Sequence, residues 1–308
     1  KYFTIIFLIS FIFALIDGYF QYFNGYSVFG FISEHPSRMT LLLNDNMILG
    51  GYLSRLFPLL IALLIYVYPS NFTNIIIGSL LLVSTDVLIF ITGERTALGL
   101  LFLSTILIIT LISKYKLLRI ITLVLSIIFI SFISFSNSEI RERNIEHTIE
   151  QLGLNNGEKI NMFSPVHDSM FRSAYKMFQS NPITGIGPNN FRKACSDKRF
   201  IINNDTCSTH PHNSFIQIMS ETGLIGLGFL LVASYYILQI IVRHIYHIIF
   251  IKKPLLSDFQ ICLVVAMFLT LWPLLPSQNI FNNWINVIYY LPVGFYIFSQ
   301  QRNKKINH

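Results

Sequence analysis

Two histidines stand close together in the motif His210-Pro-His212-Asn213. Polar residues before the motif give way to apolar residues after it, which predicts a helix that begins near His212–Ser214, with Asn213 or Ser214 as its N-cap. The free N–H groups of a helix N-terminus favour a nearby anion and disfavour an imidazolium. His212 would then be neutral, which is the form that a general base needs. A polar loop histidine without chemistry is the ordinary alternative.

Three arginines are candidates for binding an anion. Arg95 follows directly after Gly93 and Glu94, and Arg172 lies beside the apolar stripe of a predicted helix. Guanidinium groups bind phosphate oxygens in a fork geometry, so Arg95 and Arg172 are suited to a diphosphate. Arg38 is a further candidate for substrate binding. For Arg95, the alternative is a side chain that reaches a membrane surface or pairs with Glu94.

A glycine-containing turn follows the predicted helix of Arg172. Gly185 and Gly187 allow tight turns with exposed backbone amides, and such amides can hold an anion. We therefore include both glycines as substrate-binding candidates. A purely structural turn is the more frequent reason for two glycines in this arrangement.

Two cysteines flank a short polar stretch just before the histidine motif. Cys195 and Cys207 predict a disulfide if this part of the chain lies in an oxidising compartment. The alternative is a zinc site made of the two cysteines with His210 and His212, whose ligand types are suitable. The spacing of these four residues matches no standard zinc pattern.

The elements that position these residues are predicted to be membrane helices. Of the 308 residues, 53% are hydrophobic and 12% are charged, against roughly 25% charged in an ordinary soluble domain. Several apolar runs reach the ~18 uncharged residues that a bilayer core requires. The net charge of +7 does not imply a nucleic-acid partner, because basic residues at span ends meet anionic membrane lipids. The predicted fold is an all-α, polytopic transmembrane bundle.

Eight apolar stretches are predicted to span the membrane. They are residues 2–17, 51–67, 73–91, 96–113, 117–136, 223–242, 259–275 and 282–299. The sequence begins with Lys1 and is apolar from Tyr2, so we expect earlier helices to be missing and eight to be a minimum. This divides the chain into N-terminal helices (1–136), a large loop (137–222) and C-terminal helices with a tail (223–308).

Basic residues near the span ends predict which connections face the cytoplasm. Three basic groups satisfy this rule together if the eight spans alternate, namely Lys114, Lys116 and Arg119, then Arg243, Lys252 and Lys253, then Arg302, Lys304 and Lys305. Residues 18–50, the turn 93–95 and the loop 137–222 then lie on the outer side. All the candidate site residues therefore share one side of the membrane.

Within the outer loop, two stretches are predicted to be helical. Residues 139–152 are strongly charged and are typical of a solvated surface helix. In the second stretch, Phe171, Ala174, Tyr175 and Phe178 recur at helical spacing before Asn181–Pro182 ends the run, which predicts an amphipathic helix. We expect the whole loop to fold as a small cap.

One acidic residue, Asp86, lies inside the third predicted span. An ionisable side chain is costly there and is by default a functional candidate. The alternative is a position close enough to the outer surface to be hydrated.

Four of these motifs, in this order, resemble the shared region of the bacterial O-antigen ligase and polymerase family. They are Arg172-Ser-Ala-Tyr175, Asn181-Pro-Ile-Thr-Gly185-Ile-Gly187-Pro-Asn-Asn-Phe191, His210-Pro-His212-Asn213 and Glu221-Thr-Gly223-Leu-Ile-Gly226. The resemblance covers about residues 80–240. Arg38 with Asn44–Gly51 is similar to an earlier outer segment of the family.

The resemblance implies a membrane glycosyltransferase of the GT-C type at the periplasmic face of the bacterial inner membrane. It implies no cofactor, metal or nucleotide sugar, a glycan on undecaprenyl diphosphate as donor, and the lipid A–core of lipopolysaccharide as acceptor of a ligase. By motif, Arg95 and Arg172 would bind the donor diphosphate. His212 would activate the acceptor hydroxyl, and Asn213 would orient that site.

Three alternatives to a ligase stay open. A polymerase passes the glycan to another lipid-linked repeat unit, and a protein O-glycosylating enzyme passes it to a protein, with the same motifs. A transporter of anions or lipids is a distant alternative, because it predicts inverted repeats and no clear repeat is evident in the sequence. Glu94–Arg95–Thr96 also departs from the family, in which a smaller residue often precedes this arginine.

Overall fold

The computed structural model describes residues 2–32, 38–39, 48–67, 71–151 and 163–306. Most of these residues are helical, and the only β pairing within them is a single bridge between Tyr26 and Ile32. Residues 44–47 of the segment compared with the family, and the side chains of the predicted basic tail, lie outside the described part. The all-α prediction is therefore confirmed for the described residues.

Twelve α-helices follow one another along the described chain. They are α1 (Tyr2–Asn24), α2 (Leu49–Val67), α3 (Phe72–Ile91), α4 (Arg95–Leu111), α5 (Lys116–Ser136), α6 (Ser138–Arg141), α7 (His147–Gln151), α8 (Pro165–Ser180), α9 (Phe191–Ala194), α10 (Ser214–Tyr246), α11 (Asp258–Thr270) and α12 (Asn283–Ile306). Short π-helical turns at Glu142–Glu146 and His247–Ile251 follow α6 and α10.

Five helices of the described chain are long and apolar enough to cross a membrane, namely α1, α2, α3, α5 and α10. Helices α4 and α11 are apolar but shorter. The chain is therefore a multi-pass membrane protein. All eight predicted stretches overlap helices, but the count of eight spans and the GT-C architecture stay predictions.

Four helix boundaries differ clearly from the predicted ones: α1, α10 and α12 extend through polar residues, and α11 ends at Thr270, five residues before its predicted end. Helix α1 continues to Asn24, and the buried Asp17 accepts a hydrogen bond from the backbone N–H of Val28 at 2.6 Å. Helix α10 begins at Ser214 and continues through a kink at Gly223, whose φ of 65° is not helical. The sixth predicted span is thus the second part of a longer helix that starts at the histidine motif.

The chain forms two compact units. Unit 1 contains residues 1–148, 243–269 and 292–308, and unit 2 contains residues 149–242 and 270–291. Unit 2 thus combines the described part of the large loop after residue 162 with most of α10 and with the segment between α11 and α12. The predicted division into three domains stays a prediction.

A buried ion pair joins the helices of unit 1. Arg119 Nη1 lies 2.7 Å from Asp86 Oδ2, and Arg119 Nη2 lies 3.1 Å from Oδ1, with both side chains 2% exposed. Arg119 also donates to Thr105 Oγ1 at 2.6 Å, and Ser126 donates to Asp86 at 2.8 Å. The guanidinium lies over the Phe57 ring, 4.8 Å from its centroid. The pair and its partners therefore connect α2, α3, α4 and α5.

This ion pair corrects one prediction, for Arg119, and decides between the two alternatives for Asp86. Arg119 does not lie with the basic residues of a cytoplasmic turn, because its side chain points into the helix bundle. Asp86 is not hydrated at the outer surface, because it is buried among polar partners. A buried charge is costly without a partner, and both residues reduce that cost by facing each other.

Helix α8 is amphipathic as predicted, but its buried face coincides with the predicted apolar stripe only in part. Met170, Ala174 and Met177 are buried in the core of unit 2, whereas Tyr175 is 51% exposed. Ser164 caps the helix, with Pro165 as its first residue, and the helix ends at Ser180 as predicted. The rest of this core is formed by Phe191, Cys195 and Phe200. Residues of the loop after α8 thus pack against the face of the helix that carries Met170, Ala174 and Met177, and Tyr175 lies outside this contact.

Candidate functional site

The histidine motif ends at a capped helix N-terminus, as predicted. Asn213 Oδ1 accepts hydrogen bonds from the backbone amides of Phe215 at 3.0 Å and Ile216 at 3.1 Å. Its Nδ2 donates to the carbonyl of Pro273 at 2.8 Å. Asn213 is buried, and both ends of its amide are used. Its side chain therefore holds the motif in place and is not exposed to a substrate.

A second segment, between α11 and α12, encloses the motif through Ser277. The Ser277 amide donates to the His212 carbonyl at 2.8 Å, and its hydroxyl lies 2.8 Å from Ser214 Oγ. His212 has a φ of 54°, a left-handed conformation that costs a non-glycine residue about 1–2 kcal/mol. Such backbone is retained where the surrounding bonds over-determine it, and this occurs often at functional sites.

The two histidines of the motif differ in the atoms that remain free. His210 Nε2 lies 3.2 Å from the Ser277 carbonyl oxygen and Nδ1 lies 2.9 Å from Thr209 Oγ1, so both ring nitrogens are engaged. Because a carbonyl only accepts, Nε2 carries the proton. His212 Nε2 lies 3.1 Å from Ser208 Oγ, while Nδ1 has no hydrogen-bond partner within the described part of the chain. Only His212 therefore has a ring nitrogen available for a substrate proton.

A third histidine, His167, packs against the motif from the first turn of α8. Its ring centroid lies 5.7 Å from that of His212, with the two rings nearly perpendicular, and the ring of His210 lies 4.1 Å from that of His212 at an angle of 44°. His167 Nδ1 is hydrogen-bonded to Ser164 Oγ at 2.7 Å. Sequence reasoning missed this residue, although the Ser164-Pro165-Val-His167 start of an amphipathic helix was a signal for it.

Burial keeps both motif histidines neutral. Desolvation lowers the pKa of His212 to about 3, with smaller contributions from His210 and His167. Desolvation likewise lowers the pKa of His210 to about 4, although its bond to Ser277 opposes the change. The neutral form that the sequence predicted for His212 is thus supported by burial, in addition to the helix N-terminus.

Arg172 lies on the exposed face of α8 and pairs with Asp168, one turn earlier, at 2.8 Å. Its side chain is 68% exposed and borders a groove of about 560 Å³. The groove is lined by Phe171, Arg172, Tyr175, Lys176, Gln179, Ile202, Ile216 and Met219. It combines two cations with apolar walls, a chemistry that suits a phosphate carrying an apolar chain.

Gly185 and Gly187 have a packing role. Both have positive φ values, of 66° and 98°. The Gly185 amide donates to the Asn181 carbonyl and the Gly187 amide to the Glu221 carbonyl, each at 2.9 Å. A Cβ at Gly185 would collide with the backbone of α10 at Glu221 and Thr222. These amides are already engaged, so an anion could bind them only if those bonds broke.

Cys195 and Cys207 are joined by a disulfide, with Cα atoms 5.2 Å apart. The two sulfur atoms of the alternative zinc set are therefore bonded to each other. Within the loop that the disulfide closes, Thr206 Oγ1 accepts from the amides of Ile202 at 3.0 Å and Asn203 at 2.9 Å. These bonds shape the stretch that leads into the histidine motif.

Arg95 and Arg38 lie in unit 1. Arg95 Nη1 donates to the carbonyl of His147 at 3.3 Å. Glu94 bonds to the start of α2, where its carboxylate accepts from the amides of Gly50 at 2.6 Å and Gly51 at 3.0 Å. Burial lowers the pKa of Arg38, against the opposing effect of Glu94. The acidic residue that precedes Arg95 thus has a partner of its own.

The comparison with known families agrees with these motifs. A family model described as O-antigen ligase matches residues 77–231, half of the chain. The chain belongs to the O-antigen ligase family. Members of this family are enzymes of the glycosyltransferase type. No curated protein matches the chain.

The family region extends from α3 into α10 and contains Arg95, Arg172 and the histidine motif. Unit 2 brings His210, His212 and Asn213 together with Ser277, a residue outside the matched region for which the sequence carried no signal. Arg95 lies in unit 1 and Arg172 in unit 2. A single site of Arg95, Arg172 and His212 therefore stays a prediction.

We expect His212 to stay neutral from pH 8 to pH 5, because its pKa is lowered to about 3. The ¹⁵N chemical shifts of the His212 imidazole in the detergent-solubilised chain would report its protonation state. The unfolded chain binds more protons below about pH 6.5, so the same burial should lower folding stability as the pH falls below that value. A His212 resonance that titrates between pH 6 and 7 would contradict the expectation.

Proposed function

We propose that the chain transfers a glycan from undecaprenyl diphosphate to the lipid A–core of lipopolysaccharide, at the periplasmic face of the bacterial inner membrane. Membership of the family supports lipid-linked glycans as substrates. The observation that carries the proposal is His212, a buried neutral histidine whose Nδ1 has no hydrogen-bond partner among the described residues, whereas both ring nitrogens of His210 are engaged.

In the proposed reaction, His212 acts as the general base. Its Nδ1 accepts the proton of an acceptor hydroxyl, and the hydroxyl oxygen forms a bond to the anomeric carbon of the donor sugar. The bond from that carbon to the diphosphate oxygen breaks, and undecaprenyl diphosphate leaves with the electron pair. Charge on the leaving group is stabilised by cationic side chains in place of a metal ion.

The groove beside α8 is our candidate for the donor's lipid diphosphate in unit 2. Arg172 and Lys176 supply two positive charges, and Phe171 and Tyr175 supply part of the apolar wall. Arg172 now pairs with the Asp168 carboxylate at 2.8 Å. A diphosphate must displace this carboxylate or bind the guanidinium together with it. Because this pair is exposed, the competing interaction is weak. The contribution of Arg95 and Arg38 to donor binding rests on the sequence.

The acceptor is tested by deleting the gene and analysing lipopolysaccharide. We expect complete polymer to accumulate on the lipid carrier while the core stays bare, which is the result for a ligase. A core that carries one repeat unit would identify a polymerase instead and would overturn this proposal. Normal lipopolysaccharide with loss of glycan from a protein would identify a protein O-glycosylating enzyme.

Replacing Arg172 with alanine is expected to lower kcat/KM for the donor by about 10- to 100-fold. Hydrogen bonds to charged groups contribute about 1.5–3 kcal/mol, and each 1.4 kcal/mol is about tenfold. Transfer from a defined undecaprenyl-diphosphate glycan measures the effect. Arg199→Ala is the matched control, since Arg199 is an exposed arginine of the same unit, paired with Asp197. Equal losses in both variants would contradict a specific role for Arg172.

A further inference from the structure

The turn that joins α3 to α4 is bonded to the beginning of α2. Glu94 Oε1 accepts the Gly50 amide at 2.6 Å, and Oε2 accepts the Gly51 amide at 3.0 Å. The first amides of a helix have no partner within the helix, and they carry partial positive charge. Glu94 therefore supplies to α2 the negative charge that its own first turn lacks, since that turn contains no acidic residue.

Four arginines surround this turn and are here named the arginine cluster, which consists of Arg38, Arg55, Arg95 and Arg143. Arg55 donates to the Gly51 carbonyl at 3.0 Å, and Arg143 donates to the Gly93 carbonyl at 3.4 Å. Arg95 donates to the carbonyl of His147. His147 directly follows the π-helical turn that contains Arg143. Three members thus bond directly to the turn or to its neighbours.

The charges of the cluster act on one another. The positive charges that act on Glu94 are those of Arg38 and Arg55, and Arg143 acts on both Arg38 and Arg95. The segment that carries Arg143 also contains a weak contact of 3.8 Å between His147 and Glu142. Burial raises the pKa of Glu94 to about 7, while the Gly50 and Gly51 amides and the two arginines oppose that rise.

We propose that Glu94 is a positioning residue, whose carboxylate holds the arginine cluster in a geometry that binds a diphosphate. This inference rests on the proposed function, whose donor is a lipid diphosphate. The sequence predicts that Arg95 and Arg38 help to bind this donor, in addition to Arg172 of the groove beside α8. The inference adds Arg55 and Arg143 to the binding groups. Glu94 itself does not touch the ligand, because both its oxygens bind the amides of α2.

Charge repulsion explains why the cluster needs a carboxylate. Guanidinium groups that share a half-buried space repel one another, and their side chains turn to solvent unless a negative charge opposes this. Arg38 and Arg95 are half-buried, so solvent lies within reach of both side chains once the opposing charge is removed. Without the carboxylate, part of the binding free energy of a diphosphate would be used to bring the guanidinium groups together again, and its affinity would fall.

Binding of farnesyl diphosphate to the full detergent-solubilised chain tests the proposal, with farnesol as the uncharged control ligand. Glu94→Gln keeps an oxygen that accepts a hydrogen bond but loses the charge. We expect this variant to bind farnesyl diphosphate 3- to 10-fold more weakly than the wild type at pH 8, and Glu94→Ala to bind it at least 10-fold more weakly. Binding of farnesol is expected to be unchanged in both.

The dependence on pH separates positioning by charge from a purely structural role. As the pH falls from 8 to 6, wild-type Glu94 takes up a proton and comes to resemble glutamine. The ratio of the Kd values of Glu94→Gln and wild type should therefore approach 1 at pH 6, and the ratio cancels the ionisation of the ligand. A ratio that stays constant with pH overturns the proposal. So does a variant that binds as tightly as the wild type at pH 8, or more tightly.

Two glycines give a second, independent test. A Cβ at Gly50 would meet Thr92 Oγ1 and the Cβ atoms of Ala97 and Glu94, so Gly50→Ala should push α2 away from Glu94 and weaken binding as Glu94→Ala does. Gly78→Ala is the matched control, since a Cβ there meets nothing within 4 Å. If Gly50→Ala bound farnesyl diphosphate as tightly as Gly78→Ala, the proposed contact between Glu94 and α2 would be contradicted.

The binding measurement also separates this inference from the proposed function. A wild-type chain that does not bind farnesyl diphosphate would contradict the proposed donor. A wild-type chain that binds it, with Glu94→Gln unchanged at pH 8, would contradict only the role of Glu94. Thermal unfolding of each variant identifies any that fails to fold, and the conservative glutamine variant keeps the test decisive.

Discussion

His212→Gln is expected to lower the rate constant of glycan transfer by about 10²–10⁴-fold, the usual contribution of a general base. Glutamine keeps a polar side chain of similar reach, but its amide cannot take a proton at neutral pH. Donor binding should change little, so the loss should appear in kcat and not in KM. Single-turnover transfer from a defined lipid-linked glycan measures both quantities.

The size of this effect follows from the bonding of the motif. Nδ1 of His212 has no hydrogen-bond partner in the described chain, and burial keeps the imidazole neutral. In the tautomer that donates from Nε2 to Ser208 Oγ, Nδ1 carries the lone pair that a base needs. A neutral imidazole can accept a proton from the substrate directly, whereas an imidazolium would first have to be deprotonated. The disulfide and the bonds to Ser277 hold the loop in this position.

Two other histidines serve as controls for this variant. His210→Gln should cost less than His212→Gln, because His210 uses both ring nitrogens to hold the loop and presents neither to a substrate. His247→Gln, in the π-helical turn after α10, should leave transfer unchanged. A larger loss of kcat in His210→Gln than in His212→Gln would reverse the assignment of the base.

Asp86→Ala is expected to destabilise the chain by about 3–5 kcal/mol, because it leaves the Arg119 charge buried without its partner. Both side chains are 2% exposed, and Arg119 also binds Thr105, so the guanidinium cannot reach water without repacking the helices. Unfolding of the detergent-solubilised chain by heat or denaturant measures the loss. Most of the effect should appear in unit 1, which contains the pair.

A double variant separates the contribution of the two charges to stability from the contribution of the side-chain volume. Asp86→Leu combined with Arg119→Met removes both charges and keeps similar volume, so it should recover most of the stability lost in Asp86→Ala. Asp197→Ala removes an exposed partner of Arg199 and should have no measurable effect. A double variant as unstable as Asp86→Ala would show that the polar contacts of Thr105 and Ser126 dominate.

The helices themselves were largely predictable, because their apolar runs are continuous and long. Several errors lie at polar residues; the predicted α1 stops at Asp17, for example, although the helix continues to Asn24. Arg119 is the clearest case. A basic residue near a span end usually faces the cytoplasm, but here Asp86 on another helix lies within 2.7 Å, and hydropathy carries no information about such a pair.

The candidate site divides in the same way. The cap by Asn213 was predictable, because it joins residues two and three positions apart. The bond from His210 to Ser277 joins residues 67 positions apart, and the bond from Glu94 to Gly50 joins residues 44 apart. No local periodicity marks such partners, so the sequence predicted the reactive groups but not the contacts that distinguish them.

By itself, the sequence determined that the chain is a helical membrane protein of the O-antigen ligase family with a conspicuous His-Pro-His-Asn motif, since composition and motif order are local properties. Only the tertiary structure decided that His212 and not His210 has a free ring nitrogen, that Glu94 binds α2, and that Asp86 pairs with Arg119. Each of these depends on which distant groups a fold brings within about 3 Å, the distance at which hydrogen bonds form.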